Sequence, residues 1–360
     1  MAVAVERDGI LTMTGIAALI DPPLPGSAQM IRDIKGLGLN IKMLTGDALP
    51  IAREIARQVG LGDDIVSAGL FRNEPDSNKG HNVIVAHNGF AEVLPEDKFN
   101  IVKALQEKQE ITGMTGDGVN DAPALKQAEV GIAVKSATDI AKQAASVILL
   151  NDGLESIISL ITVGRTIHHR ITNWVISKIA KTLFTVIFVC SAYLITGQFV
   201  VSAFDMILLL FIIDFVSLTL STDSVSWSRN PETWTLKPLI RKGFTIGLLN
   251  IVEGLLWLFI GKKYLGVESE EMLHSFGFII LFFTGIFNII SIRTPTRFYH
   301  QKIGKILLFA VLADILFIIC ISIVGIPGFS ALSLVVTGSS ILYFFICCCF
   351  INDWAKVRMK

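Results

Sequence analysis

The chain has 360 residues, of which 52% are apolar and only 17% charged, and its mean hydropathy is +0.61. Its 31 basic residues balance 31 acidic ones, so the charge balance gives no argument for nucleic acid as a partner. The average hides a break: residues 1 to about 170 carry charge at ordinary globular density, and the rest holds long runs almost without it.

In chain order, short apolar and β-rich runs at 12–20, 40–44, 110–114, 130–134 and 146–150 alternate with amphipathic stretches at 26–37, 49–59, 96–107 and 137–143. This alternation predicts an α/β domain, a parallel sheet flanked by helices, with ligands at the C-terminal strand edges. Segment 70–88 keeps neither period and reads as a loop or small excursion. No internal repeat occurs, and no signal-peptide pattern follows Met1. A helix beginning near Leu154 is expected to run through Arg165 and Arg170 into the apolar half as a stalk.

Three motifs fall at the predicted strand ends. Thr45-Gly46-Asp47 follows the run ending at Leu44, where a threonine hydroxyl and a glycine amide suit phosphate oxygens; alone, such a triplet reads equally as a turn. Lys98, in Leu94-Pro95-Glu96-Asp97-Lys98, offers a cation near a helix start to neutralise a transferring phosphoryl group. The stretch TGDGVNDAPAL at 115–125 offers Asp117, Asn120 and Asp121 as oxygen ligands. Magnesium takes one or two carboxylates beside phosphate and water. The three motifs in this order, after successive strands, indicate a phosphoryl-transfer site.

The C-terminal half reads as six membrane spans at approximately 174–194, 204–221, 243–261, 275–292, 306–325 and 331–351, each about the 17–25 residues a bilayer core requires. One set of flanking segments holds Arg229, Lys237, Arg241 and Lys242, then Arg293, Arg297, Lys302 and Lys305, then Lys356, Arg358 and Lys360. The opposite set holds Lys262 and Lys263 beside Glu268, Glu270 and Glu271. By the positive-inside rule the soluble half and both termini are cytoplasmic. The domains are accordingly 1–165 and 166–360. The five cysteines (Cys190, Cys320, Cys347, Cys348 and Cys349) lie in apolar runs and read as small packing residues.

Asp21-Pro22-Pro23, MLTGD at 43–47, Lys98 and TGDGVNDAPAL together resemble, in order, the C-terminal portion of a P-type cation-transporting ATPase. The phosphorylation domain of that family is haloacid-dehalogenase-like. GFAEVLPEDKFNIVKALQ at 89–106 is most similar to the plasma-membrane H+-ATPase branch. The resemblance spans essentially the whole chain and implies a partial phosphorylation domain followed by the last six spans. It implies ATP as substrate, Mg2+ as cofactor and the plasma membrane as location. It makes Asp117 the magnesium ligand, with Asn120 and Asp121 shaping the site. Thr45, Gly46 and Asp47 belong to the phosphoryl-contacting loop, Lys98 stabilises the group, and Asp21 lies at a hinge or nucleotide-facing edge, where Leu24 replaces a residue often basic in the family. The family's nucleophilic motif D-K-T-G-T is absent. The phosphorylated aspartate, with the nucleotide-binding and actuator domains, is then expected on sequence outside this chain. The chain alone is expected to be inactive.

Ionisable groups inside spans are costly and therefore informative. Asp214 sits near the middle of the second predicted span and reads as the proton acceptor. Lys178 and Lys181 lie one turn apart on the first, at a depth that permits an Asp214–Lys181 pair; Phe184 stands where relatives often place an arginine. Glu253 and Asp314 serve either a proton route or helix packing. Transport of another cation, magnesium or calcium, and a regulatory pseudo-pump are the alternatives.

Overall fold

The computed structural model describes all residues except 1, 8, 17–21, 73–77, 152–154, 226 and 360, so Asp21 lies outside the described residues. The chain divides into two compact units, residues 1–161 with 229–231 and residues 162–228 with 232–360. The first break falls slightly before the expected boundary at 165/166.

In the first unit, β1 (Ala2–Arg7) and β2 (Ile10–Ile16) pair antiparallel, with Arg7 opposite Ile10. The first expected strand is therefore half of a hairpin and not a member of the parallel sheet. Asp8-Gly9 is a two-residue hairpin signal, and Gly9 has the positive φ, 78°, that such a turn uses. After α1 (Ser27–Gly36), six short strands form two three-stranded parallel sheets in place of the single sheet expected. One orders β3 (Met43–Leu44), β5 (Gly89–Ala91) and β4 (Ile65–Ser67); the other orders β6 (Gly113–Gly116), β7 (Val130–Ala133) and β8 (Val147–Ile148).

Helices α2 (Leu49–Gln58), α5 (Pro95–Glu107), α6 (Ala122–Gln127) and α7 (Asp139–Ala144) connect these strands. Segment 70–88, expected to be irregular, carries part of α3 (Gly69–Arg72) and all of α4 (Asn78–Ala86). Its order comes from burial: Phe71 and Ile84 join Phe90 and Ile101 in one core cluster, with the Phe71 and Phe90 rings edge to face at 5.1 Å. Helix α5 starts where Pro95 occupies the first turn and the Asp97 carboxylate accepts the Leu94 amide at 2.8 Å, two devices that fix a helix N-terminus.

Among the described residues, six helices are long and apolar enough to cross a membrane. They are α8 (Glu155–Thr196), α9 (Ala203–Thr219), α10 (Leu236–Tyr264), α11 (Glu270–Ile292), α12 (Lys305–Val324) and α13 (Leu334–Ile346). The last continues through a π-turn at Cys347–Asn352 into α14 (Asp353–Arg358). Helix α8 is one uninterrupted run of 42 residues, about 63 Å long, and includes the stretch read as a stalk. Ser202 and Asp205 exchange capping hydrogen bonds that set the start of α9.

Helix α11 is the core of this bundle: 94% of its most apolar stretch is buried inside the protein. Apolar helices gain little by leaving lipid for each other, so close packing through small residues holds them together. A β-carbon at Gly277 would lie 1.8 Å from the Val200 carbonyl oxygen, and one at Gly285 would lie 2.7 Å from Ile213. Gly243, Gly247 and Gly254 on α10 similarly admit Ile179, Leu183 and Phe184 of α8.

Candidate functional site

The Thr45 loop is set by backbone bonds: the Thr45 amide donates to Phe90 O at 3.0 Å and Val93 N donates to Thr45 O at 3.0 Å. The Thr45 hydroxyl donates to Asp47 Oδ2 at 2.7 Å and accepts the Asp47 amide at 3.1 Å. Asp47 thus shapes the turn, while Gly46 and Asp47 remain exposed.

In the second loop the three acid-and-amide residues separate by role. Asp121 is buried, its Oδ1 taking the Lys98 ammonium at 2.5 Å and its Oδ2 accepting the Asp117 and Gly118 amides at 3.1 and 3.2 Å. Both its oxygens are committed to ordering the loop and aiming Lys98. Asp117 and Asn120 are exposed, and among the described residues neither side chain has a partner. Gly116, which the sequence reading left out of the site, is required by space: a β-carbon there would lie 2.6 Å from Asp121 Cβ. The two glycines that flank Asp117, Gly116 and Gly118, carried that signal. Thr138 N donates to Asp117 O at 2.9 Å and anchors the far side of the loop.

Leu44, one residue before the first motif, packs against the cluster that holds Met114, one residue before the second. The strands bearing the motifs, β3 and β6, each form an edge of their sheet. Edge strands present unpaired backbone donors and acceptors. The donor set fits a divalent ion only in part. Asp117 supplies one free carboxylate and Asn120 one amide oxygen, and no group of three ligating acids, histidines or cysteines occurs among the described residues. Magnesium suits such a site, because it draws its other ligands from phosphate and water.

In the second unit, Asp214 Oδ1 receives Lys178 at 2.5 Å and Lys181 at 3.2 Å. The sequence reading paired Asp214 with Lys181 alone; Lys178 was visible at i−3 on the same face. Lys178 also lies over the Trp174 ring, 5.7 Å from its centroid. Below these, a fully buried ion pair joins Asp223 to Arg293 at 3.0 Å, both side chains 0% exposed. Asp223 also accepts the Gly304 amide at 2.8 Å, Arg293 donates to the carbonyls of Gln301 and Lys302, and Arg170 donates to the Asp223 carbonyl at 2.7 Å. Asp353 takes Lys356 at 2.6 Å and Arg297 at 3.6 Å. Sequence reasoning missed these contacts, which join residues up to 81 positions apart (Asp223 to Gly304).

An α/β unit with an acidic loop closed by a lysine precedes six helices long and apolar enough to cross a membrane. The haloacid dehalogenase-like hydrolase family matches residues 3–129. A protein named as a cation-transporting ATPase in Methanocaldococcus jannaschii is 37% identical over 314 residues, 86% of this chain and 39% of that protein. The plasma membrane ATPase of Neurospora crassa is 35% identical over 77% of this chain and 30% of its own length, and plasma membrane ATPase 2 of Saccharomyces cerevisiae is 38% identical over 77% and 29%. The chain is therefore homologous to the P-type cation-transporting ATPases, through a haloacid-dehalogenase-like domain and six membrane helices. It spans between 29% and 39% of the length of these relatives.

Proposed function

We propose that the chain is the C-terminal part of an ATP-driven pump that exports protons through an aspartyl-phosphate cycle, with the soluble unit and both termini cytoplasmic. The observation that carries the catalytic reading is that the two strands leading into the phosphate-directed loops, β3 and β6, are both open edges whose last apolar residues share one cluster. A parallel strand seated between them would bring a carboxylate nucleophile from outside these residues to the mouth of both loops. Bound Mg2+ supplies charge neutralisation at the phosphoryl oxygens. The chain's own residues would do the rest: Asp117 and Asn120 would hold the ion, Asp121 fixes the loop and aims Lys98, and Lys98 would face the developing charge. Gly46 N and the Thr45 loop complete the cradle, and α8 carries the resulting change into the spans.

Proton specificity rests on Asp214. Two lysine ammoniums on one oxygen overcompensate a single carboxylate and repel a divalent ion, which wants several oxygens. Proton binding there would release the lysines, and proton loss would recapture them. A regulatory pseudo-pump is the second reading, supported by the absence of D-K-T-G-T in the chain.

The chain alone is expected to form no hydroxylamine-sensitive acyl phosphate from labelled ATP. Co-expressed with upstream sequence that carries the aspartate, it should form one, and Asp117→Asn should strongly impair it. Robust labelling of the isolated chain would defeat the reading. Absence of any upstream D-K-T-G-T sequence would favour the pseudo-pump.

A further inference from the structure

A second acid in the bundle stands in surroundings opposite to those of Asp214. Glu253 on α10 is 7% exposed, and its neighbours Asn250 and Asn352 are 0% exposed. Asn250 and Glu253 lie one turn apart on α10, and Asn352 ends the π-turn of the last helix. The Asn352 amide nitrogen ties them together, donating to Asn250 Oδ1 at 2.8 Å and to Glu253 Oε2 at 3.2 Å. Among the described residues no lysine or arginine pairs with Glu253. Tyr343, whose hydroxyl donates to the Glu253 carbonyl at 3.1 Å, and the thiols of Cys347 and Cys348 are the titratable groups that face it from the last helix. From α8, Phe184 and Phe188 close on the adjacent Gly254.

Three buried atoms of this cluster have no partner: Glu253 Oε1, Asn352 Oδ1 and Asn250 Nδ2. Two are acceptors and one is a donor. With Glu253 protonated, Oε1 becomes a donor, and the resulting two donors and one acceptor suit one water molecule that accepts twice and donates once; buried waters typically make about three such bonds. The set does not suit a metal ion, because the Asn250 amide hydrogens would face the cation. An unpaired carboxylate in this apolar setting is costly, and π-turns of the kind that places Asn352 frequently occur at functional sites.

We propose that Glu253, Asn250 and Asn352 form a proton-binding site, distinct from Asp214, in which Glu253 is held as the uncharged acid beside one ordered water. The proposal goes beyond the pump reading and does not depend on it, because proton binding needs neither ATP nor the upstream sequence. In the site the proton resides on Glu253 Oε1 and is donated to the water, the water donates to Asn352 Oδ1, and Asn250 Nδ2 donates to the water.

The test is infrared spectroscopy of the full chain in lipid nanodiscs at neutral pH, in H2O and D2O. We expect a carboxylic-acid C=O stretch that shifts in D2O, is lost in Glu253→Gln and persists in the Asp214→Asn/Asp314→Asn double variant. Asn352→Leu should move the band, since it removes the hydrogen-bond partner, without abolishing it. The double variant keeps the test decisive if Glu253→Gln does not fold, because a band that survives there belongs to neither other acid. Absence of the band from the wild-type chain, its survival in Glu253→Gln, or its disappearance on adding sodium, potassium or magnesium at fixed pH would each overturn the proposal. A missing band would leave the acyl-phosphate result unaffected, so the two readings fail separately.

Discussion

The two units handle buried charge in opposite ways. In the soluble unit one acid, Asp121, is buried and fully committed so that its neighbour Asp117 stands free in water. In the bundle three acids are committed to cations: Asp223 to Arg293, Asp353 to Lys356, Asp214 to two lysines. Water can solvate an idle carboxylate at a loop tip, whereas the bundle interior cannot, so an acid there is paired, kept neutral or hydrogen-bonded. The comparison separates residues that hold the structure from residues left available for chemistry.

The largest expected effect tests the bundle side. Arg293→Met strands Asp223 at full burial, and loss of one partner of a buried pair costs about 3–5 kcal/mol. The Asp223→Leu/Arg293→Met double variant should recover much of that in thermal unfolding in detergent. If the double variant is as unstable as the single, the pair holds more than its own charges. Next, Lys98→Ala leaves Asp121 unpaired and should cost about 2 kcal/mol, while Asp117→Asn, an exposed change, should stay within about 0.5 kcal/mol of wild type. A large stability loss in Asp117→Asn would erase the distinction between held and free acids. Smaller still, Lys178→Ala and Lys181→Ala should each cost about 1 kcal/mol or less, because the remaining lysine keeps Asp214 paired. Their double variant should cost more than the sum.

A small, pH-dependent effect concerns Glu129. Burial pushes its carboxyl up, but the Thr112 hydroxyl and amide, with Gln106, pull it further down, so it titrates below the usual carboxylate range. Its stabilisation is therefore complete above the unfolded value of about 4.3 and is lost as pH falls through the lower folded value. Glu129→Gln should cost under about 1 kcal/mol at neutral pH, since the residue is largely exposed and screened. The gap to wild type should close on acidification, as read by melting temperature against pH.

What the sequence made legible follows from signal length. Six apolar runs of bilayer length are unmistakable, and the motif loops are dense in unusual residues, so spans and candidate site emerged together. Strands β4 and β5 are three residues each and set by their neighbours on either side, which leaves no alternation to read. The division into two sheets depends on pairing between β3, β5 and β4 and between β6, β7 and β8, a non-local fact. Contacts such as Asn352 with Glu253, or Arg293 with Asp223, join residues that only the folded bundle makes neighbours. Gly9 and Gly116 were readable and were passed over, the first as a hairpin signal and the second as a gap beside an acid.

Helix α11 has a consequence for biogenesis. It is apolar enough to enter a bilayer by itself, yet 94% of its most apolar stretch is enclosed by protein. During synthesis it therefore emerges among lipids before α12 and α13 exist, and must later exchange that lipid for its partners. Gly277 against the Val200 carbonyl and Gly285 against Ile213 make the exchange possible through contact alone. A larger residue at Gly277 would leave insertion intact and arrest the chain afterwards, with six segments embedded and unassembled, a substrate for membrane quality control rather than a folded bundle.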